Sequence, residues 1–122
     1  MAQTPLTQKN GAGAHLVDEV SRHLSRKKVT VTGGDYPAGQ VLGIITASKK
    51  YTAHDPAKSD GSQVAAAILF DNTEANAADV EAITSAALTA VNKNEITWKT
   101  GMTAEQIATA TAELNAKFIA LV

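Results

Sequence analysis

The stretch YPAGQVLGIITASKKY, residues 36–51, places two turn residues ahead of a run of branched apolar side chains. The Pro37 ring presets φ for a turn corner and Gly39 closes the turn, after which Val41, Leu42, Ile44 and Ile45 supply the filling of a strand. Gly43 interrupts that strand. A lone glycine inside a strand marks a bulge or the close approach of another backbone, as happens where a small barrel bends. Turns and stiff apolar pairs in this density describe scaffold, so the function is sought in what the scaffold holds on to.

Working outward, KVTVT (28–32) alternates polar and β-branched residues, the period of a strand with one buried face, and the glycines at 33 and 34 end it. Downstream, KKYTAH (49–54) is read as a short outward-facing strand, DPAKSDGS (55–62) as a loop, and QVAAAILF (63–70) as a buried strand. Turns recurring at this spacing predict a small all-β barrel. The segment ADVEAITSAALTAV (78–91) supports two readings. Val80, Ile83, Ala87 and Val91 fit one helix face and alanine favours helix, whereas Val80, Ala82, Thr84, Ala86 and Leu88 alternate as in a strand. EITW (95–98) reads as another strand, with Trp98 as the largest core candidate. TAEQIATATAELNAKF (103–118) is a helix: Thr103 and Gln106 match the capping box, and Ile107, Ala110, Leu114 and Phe118 form an apolar stripe. FIALV closes the chain as a strand.

Composition bounds the rest. The 122 residues suffice for one domain plus an arm, since domains cluster near about 100–150 residues. Only five aromatic side chains are present, so the core is modest and association with a partner would add to it. No cysteine occurs, which excludes disulfides and thiolate metal sites. The apolar runs are far short of the roughly 20 residues a membrane-spanning helix needs, and the N-terminus has no apolar signal core, so a soluble chain without a Sec-type export signal is expected.

Residues 1–20 are rich in small and polar types with Pro5 and the GAGA run (11–14) as breakers, and the expected division is a flexible arm over residues 1–26 and a β-rich domain over 27–122. Charge follows a similar division: residues 1–28 hold five basic against two acidic side chains, the remainder six against ten. The one tight basic cluster, RKK (26–28), has no aromatic interleaving and no reading motif, so no direct nucleic-acid binding is expected, and an acidic protein surface is an equal match.

No set of residues with visible chemistry survives inspection of its context. Ser25 and Lys28 with KTG (99–101) imitate pieces of the penicillin-binding serine enzymes, but the third element is missing and the chain is too short to wall off an acyl-transfer pocket. His15, His23 and His54 lack ligand spacing and read as surface histidines. DPAKSDG departs from a calcium loop at its third, sixth and twelfth positions, and GAGAHL lacks both the strand and the third glycine of a dinucleotide fingerprint. Neither an enzyme nor a metal or cofactor is expected. A small ligand- or glycan-binding β-barrel is the alternative class, and the scarcity of aromatics counts against it.

The ordered set AGQVLGI (38–44), KKY (49–51), DGSQVAAAIL (60–69) and VNKNEITW (91–98), followed by the C-terminal helix and a short apolar strand, resembles the bacteriophage head decoration proteins, the lambda capsid-stabilising protein D-like family, over about residues 28–122. The resemblance implies a mainly β fold with a short C-terminal helix, barrel-like and trimeric, with residues 78–91 mostly strand. It implies a virion protein on the outer surface of the head, made in the host cytoplasm, which binds the major capsid protein as a homotrimer at local three-fold positions of the expanded head and braces it against DNA pressure. No cofactor or membrane is implied. An N-terminal arm that orders on the coat protein is also implied, and Thr4, Pro5, Leu6, His15, Leu16 and Val17 are its candidate contact residues.

Overall fold

The run Val41–Ile44 at the centre of the opening stretch forms a strand buried on both faces. The computed structural model describes residues 12–19 and 21–122. Within them the order is β1 (Leu16–Glu19), α1 (Arg22–Ser25), β2 (Arg26–Val31), β3 (Asp35–Tyr36), β4 (Val41–Ile44), β5 (Tyr51–Ala53), β6 (Ala67–Leu69), β7 (Thr73–Glu74), β8 (Val80–Ser85), β9 (Thr89–Val91), α2 (Ala104–Asn115) and β10 (Ile119–Leu121). Strands β2, β5, β4, β6 and β8 close into a barrel in that order, with β8 completing the ring along β2 in antiparallel register from Arg26↔Ser85 to Val31↔Val80. Beside it lies a three-stranded sheet, β1-β9-β10, in which β1 is antiparallel and β10 parallel to the central β9. The fold is thus mainly β with a C-terminal helix, as the sequence predicts.

Successive side chains of a strand point to opposite faces, and here both faces meet apolar neighbours. Leu42, Ala67 and Leu69 join Val29, Val31 and Tyr51 in one core cluster, while Val41 and Ile68 join Val91, Ile96, Ala110, Leu114 and Ile119 in a second, where α2 and β10 pack. That double burial is why VLGI and AAAIL are continuous apolar runs rather than alternating ones.

Gly43 and Gly39 are among the glycines required by contact. A Cβ on Gly43 would stand 2.5 Å from the Ser62 carbonyl oxygen and 2.6 Å from its Cα, the close backbone approach the sequence predicts. Gly39 has φ +90° and packs so closely on the 95–96 backbone that a Cβ would meet the Glu95 oxygen. In this turn the Gln40 amide donates to the Pro37 carbonyl at 3.1 Å, so Pro37 sits at the first position rather than at the corner.

Residues 80–85 and 89–91 are strands, against their local helical periodicity. β8 bonds to β2 on one side and β6 on the other, and those two ladders outweigh alanine's preference for helix. Helix α2 keeps its full capping box: the Gln106 amide donates to the Thr103 hydroxyl and the Thr103 amide to the Gln106 side chain. Ala110 and Leu114 are buried as predicted, but Phe118 leaves the stripe, because the chain turns at φ 62° after the helix and leaves its ring 70% exposed.

Other expectations are corrected. KKYTAH is not outward-facing: Tyr51 joins the first core cluster and His54 is buried. The strand in QVAAAILF is confined to Ala67–Leu69. EITW is no strand; only Thr97 forms a bridge, to Gln40, and Ile96 rather than Trp98 is its buried member, the indole packing from the side. Within the segment expected to be an arm, the Gly13 amide donates to the Phe70 carbonyl at 2.8 Å and β1 pairs with β9. The small residues that suggested looseness permit this close packing instead.

Candidate functional site

The first strand ties the N-terminal segment to the body. Its register slips between Leu16 and Asp18, which pair with Val91 and Ala90, so that Val17 is the extra residue of a bulge and stands 56% exposed, while Leu16 is half-buried. The Thr89 hydroxyl donates to the Asp18 carbonyl at 2.8 Å, and the Asn92 amide to the His15 carbonyl at 2.7 Å. Of the candidate contact residues, Val17 is the accessible one among those described; Thr4, Pro5 and Leu6 lie outside the described residues.

His15 is not a surface histidine. Its side chain is fully buried, with Nε2 2.9 Å from the Ser85 hydroxyl, Nδ1 without a hydrogen-bond partner among the described residues, and the ring edge-on to Phe70 at 5.7 Å between centroids. The Arg26 guanidinium stacks on that Phe70 and is held by Glu19 in a two-bond ion pair at 2.8 and 3.1 Å. Burial, reinforced by Arg26 and partly offset by Glu19, pushes the His15 pKa down from 6.5 to about 4. His54 is also buried, with Nε2 3.0 Å from the Gln63 carbonyl oxygen and the ring edge-on to Trp98. The side chain of His23 lies outside what is described. Sequence reasoning missed both buried histidines because their partners are distant in the chain. For His15 the available signal was Gly13, whose missing side chain lets the backbone lie on Phe70.

At one end of the β1-β9-β10 sheet, two adjacent residues hold left-handed backbones: Leu88 (φ 51°) precedes β9 and Phe118 (φ 62°) precedes β10, with the Thr89 amide donating to the Phe118 carbonyl. Both expose large apolar side chains, 37% and 70%. The Ser25 hydroxyl donates to the Leu88 carbonyl at 2.9 Å, which brings Leu24, 62% exposed, to the same region. Leu24, Leu88 and Phe118 are thus exposed apolar side chains near this end of the sheet, two of them on left-handed backbone.

The enzyme-like pieces do not assemble. Ser25 is buried with its hydroxyl committed to Leu88, Lys28 is exposed on β2, and Lys99 lies 4.0 Å from Asp55 in a separate loop region. Among the described residues no cluster of three or more His, Asp or Glu side chains is arranged to hold a metal ion, and no helix is long and apolar enough to cross a membrane. Inside the barrel, Val29, Val31, Leu42, Tyr51 and Leu69 pack as one buried cluster.

Residues 5–119 match the protein family described as bacteriophage lambda head decoration protein D. No curated protein matches the chain.

Proposed function

The chain belongs to the bacteriophage lambda head decoration protein D family, and from that membership we propose that it is a structural, non-enzymatic protein which binds the expanded head as a trimer and braces it against DNA pressure. The match over nearly the whole chain is the observation that carries this reading. The match supports a location on the phage capsid; within the same proposal the chain sits on the outer surface, binds the major capsid protein and is made in the host cytoplasm.

The mechanism is binding linkage. A ligand that recognises only the expanded lattice stabilises it by RT ln(1 + [L]/Kd), about 2.7 kcal/mol per site at a hundredfold excess over Kd, and the sum over many sites is large. Three copies joined through the Leu24, Leu88 and Phe118 face would present three N-terminal segments at high effective concentration. Each segment adds a strand to a coat-protein edge, with Thr4, Pro5 and Leu6 ahead of Ala12 as contacts and Val17 beside them. His15 and Leu16 act by anchoring the segment to the body instead of by touching the coat.

Co-sedimentation of the purified chain with expanded and unexpanded shells that lack their own decoration protein tests this. Saturable binding to expanded shells alone is expected, and deletion of residues 2–11 is expected to leave a folded protein that no longer binds. Equal binding to both shells, or full occupancy without residues 2–11, would contradict the mechanism.

A further inference from the structure

A groove of about 910 Å³ runs outside the barrel between β7 and β8. Its floor is apolar, formed by Tyr36, Phe70, Val80 and Ile83, and Val80 and Ile83 remain 37% and 39% exposed. Four carboxylates, Asp35, Asp71, Glu74 and Glu81, line it, and among the described residues no lysine or arginine does. None of the four takes part in an ion pair among the described residues, where the pairs are Arg26–Glu19, Lys50–Asp79 and Lys99–Asp55. Of the described cations on this side, Arg26 lies over Phe70 and is held by Glu19, and Lys28 is paired opposite Ile83 in the β2–β8 ladder without being in an ion pair. Four carboxylates with no ion pair among the described residues, set around exposed apolar side chains, repel one another, and an apolar ligand carrying positive charge would relieve both.

Position says where that ligand comes from. Ala12 lines one end of the groove and Gly13 is fastened to Phe70, so residues 1–11 are joined to the body at that end of the groove. Whatever that segment binds is brought alongside. We propose that this groove is a second docking site for the shell, receiving an extended, lysine- or arginine-bearing apolar segment of the coat lattice next to the place where the N-terminal segment engages it. β8 already pairs on both sides, so recognition here is by side chains, cations on the carboxylates and apolar groups on Phe70 and Ile83, rather than by strand addition. The identification of the shell as the source rests on the reading above; the ligand chemistry does not.

The test therefore begins without shells. The ¹⁵N-labelled chain is titrated with the amidated peptide Lys-Leu-Lys-Leu-Lys, and separately with Glu-Leu-Glu-Leu-Glu, while the amide signals of Glu74, Glu81 and Ile83 are followed. Saturable shifts with the basic peptide only are expected, weakening as salt is raised and falling by about tenfold or more in the double variant Asp71→Lys/Glu81→Lys. No shift at these amides, or equal response to the acidic peptide, overturns the proposal. Shifts of Glu74 and Glu81 on deletion of residues 2–11 alone would also overturn it, by making the chain's own segment the occupant. With expanded shells, the double variant is expected to bind about tenfold more weakly than the parent; unchanged binding of a variant that has lost the peptide overturns the shell as source and leaves the decoration reading intact.

Discussion

At the scale of single residues, His15 joins the N-terminal segment to the barrel and makes that junction sensitive to acid. The fold holds the imidazole neutral down to about pH 4, whereas the unfolded chain takes up the proton near 6.5. The native state therefore binds fewer protons between those values, so stability is complete above about pH 6.5 and is lost as the pH falls towards 4. Replacing His15 by Gln, which can still reach Ser85 but does not titrate, is expected to cost about 1–3 kcal/mol at pH 7 and to flatten the stability profile over that window. Denaturant unfolding at a series of pH values checks both. Gly43 gives a second prediction: a methyl group would collide with the Ser62 backbone at 2.5–2.8 Å. Gly43→Ala is expected to destabilise by about 2 kcal/mol or more, read from the same unfolding curves, because neither backbone can yield without opening the barrel.

Among the elements, helix α2 was the most legible from sequence because its signals are local. The capping box spans four residues and the buried stripe follows the helical period, so Thr103→Ala is expected to cost about 1 kcal/mol, measured as a lowered thermal midpoint. Strand β2 was legible for the same reason, its alternation being visible in KVTVT. Strand β8 was not: its alanines and threonines suit a helix, and what makes it a strand is a pair of ladders to residues 26–31 and 68–69, outside any local window. EITW failed in the opposite direction. Its residues have strand propensity, but only Thr97 finds a backbone to bridge. The exposed pair Leu88 and Phe118 had no sequence signal, because left-handed backbone at branched and aromatic residues is imposed by the turns into β9 and β10.

For the whole molecule, the continuous apolar runs in residues 41–45 and 65–69 are explained by a barrel whose middle strands are covered twice, inside by the first core cluster and outside by α2 and the second sheet. Such a body is packed on both sides of its middle strands, and the surfaces proposed above to bind partners lie at its N-terminal strand, at Leu88 and Phe118 and in its acidic groove. That division of labour suits a cement protein, in which the body stays rigid while its surfaces bind. Whether binding braces the head is read from the temperature at which DNA-filled heads lacking their own decoration protein release DNA, followed by dye fluorescence with increasing amounts of the chain. A release temperature that rises with occupancy and levels off at saturation is expected; an unchanged release temperature at full occupancy would show that binding does not brace the head.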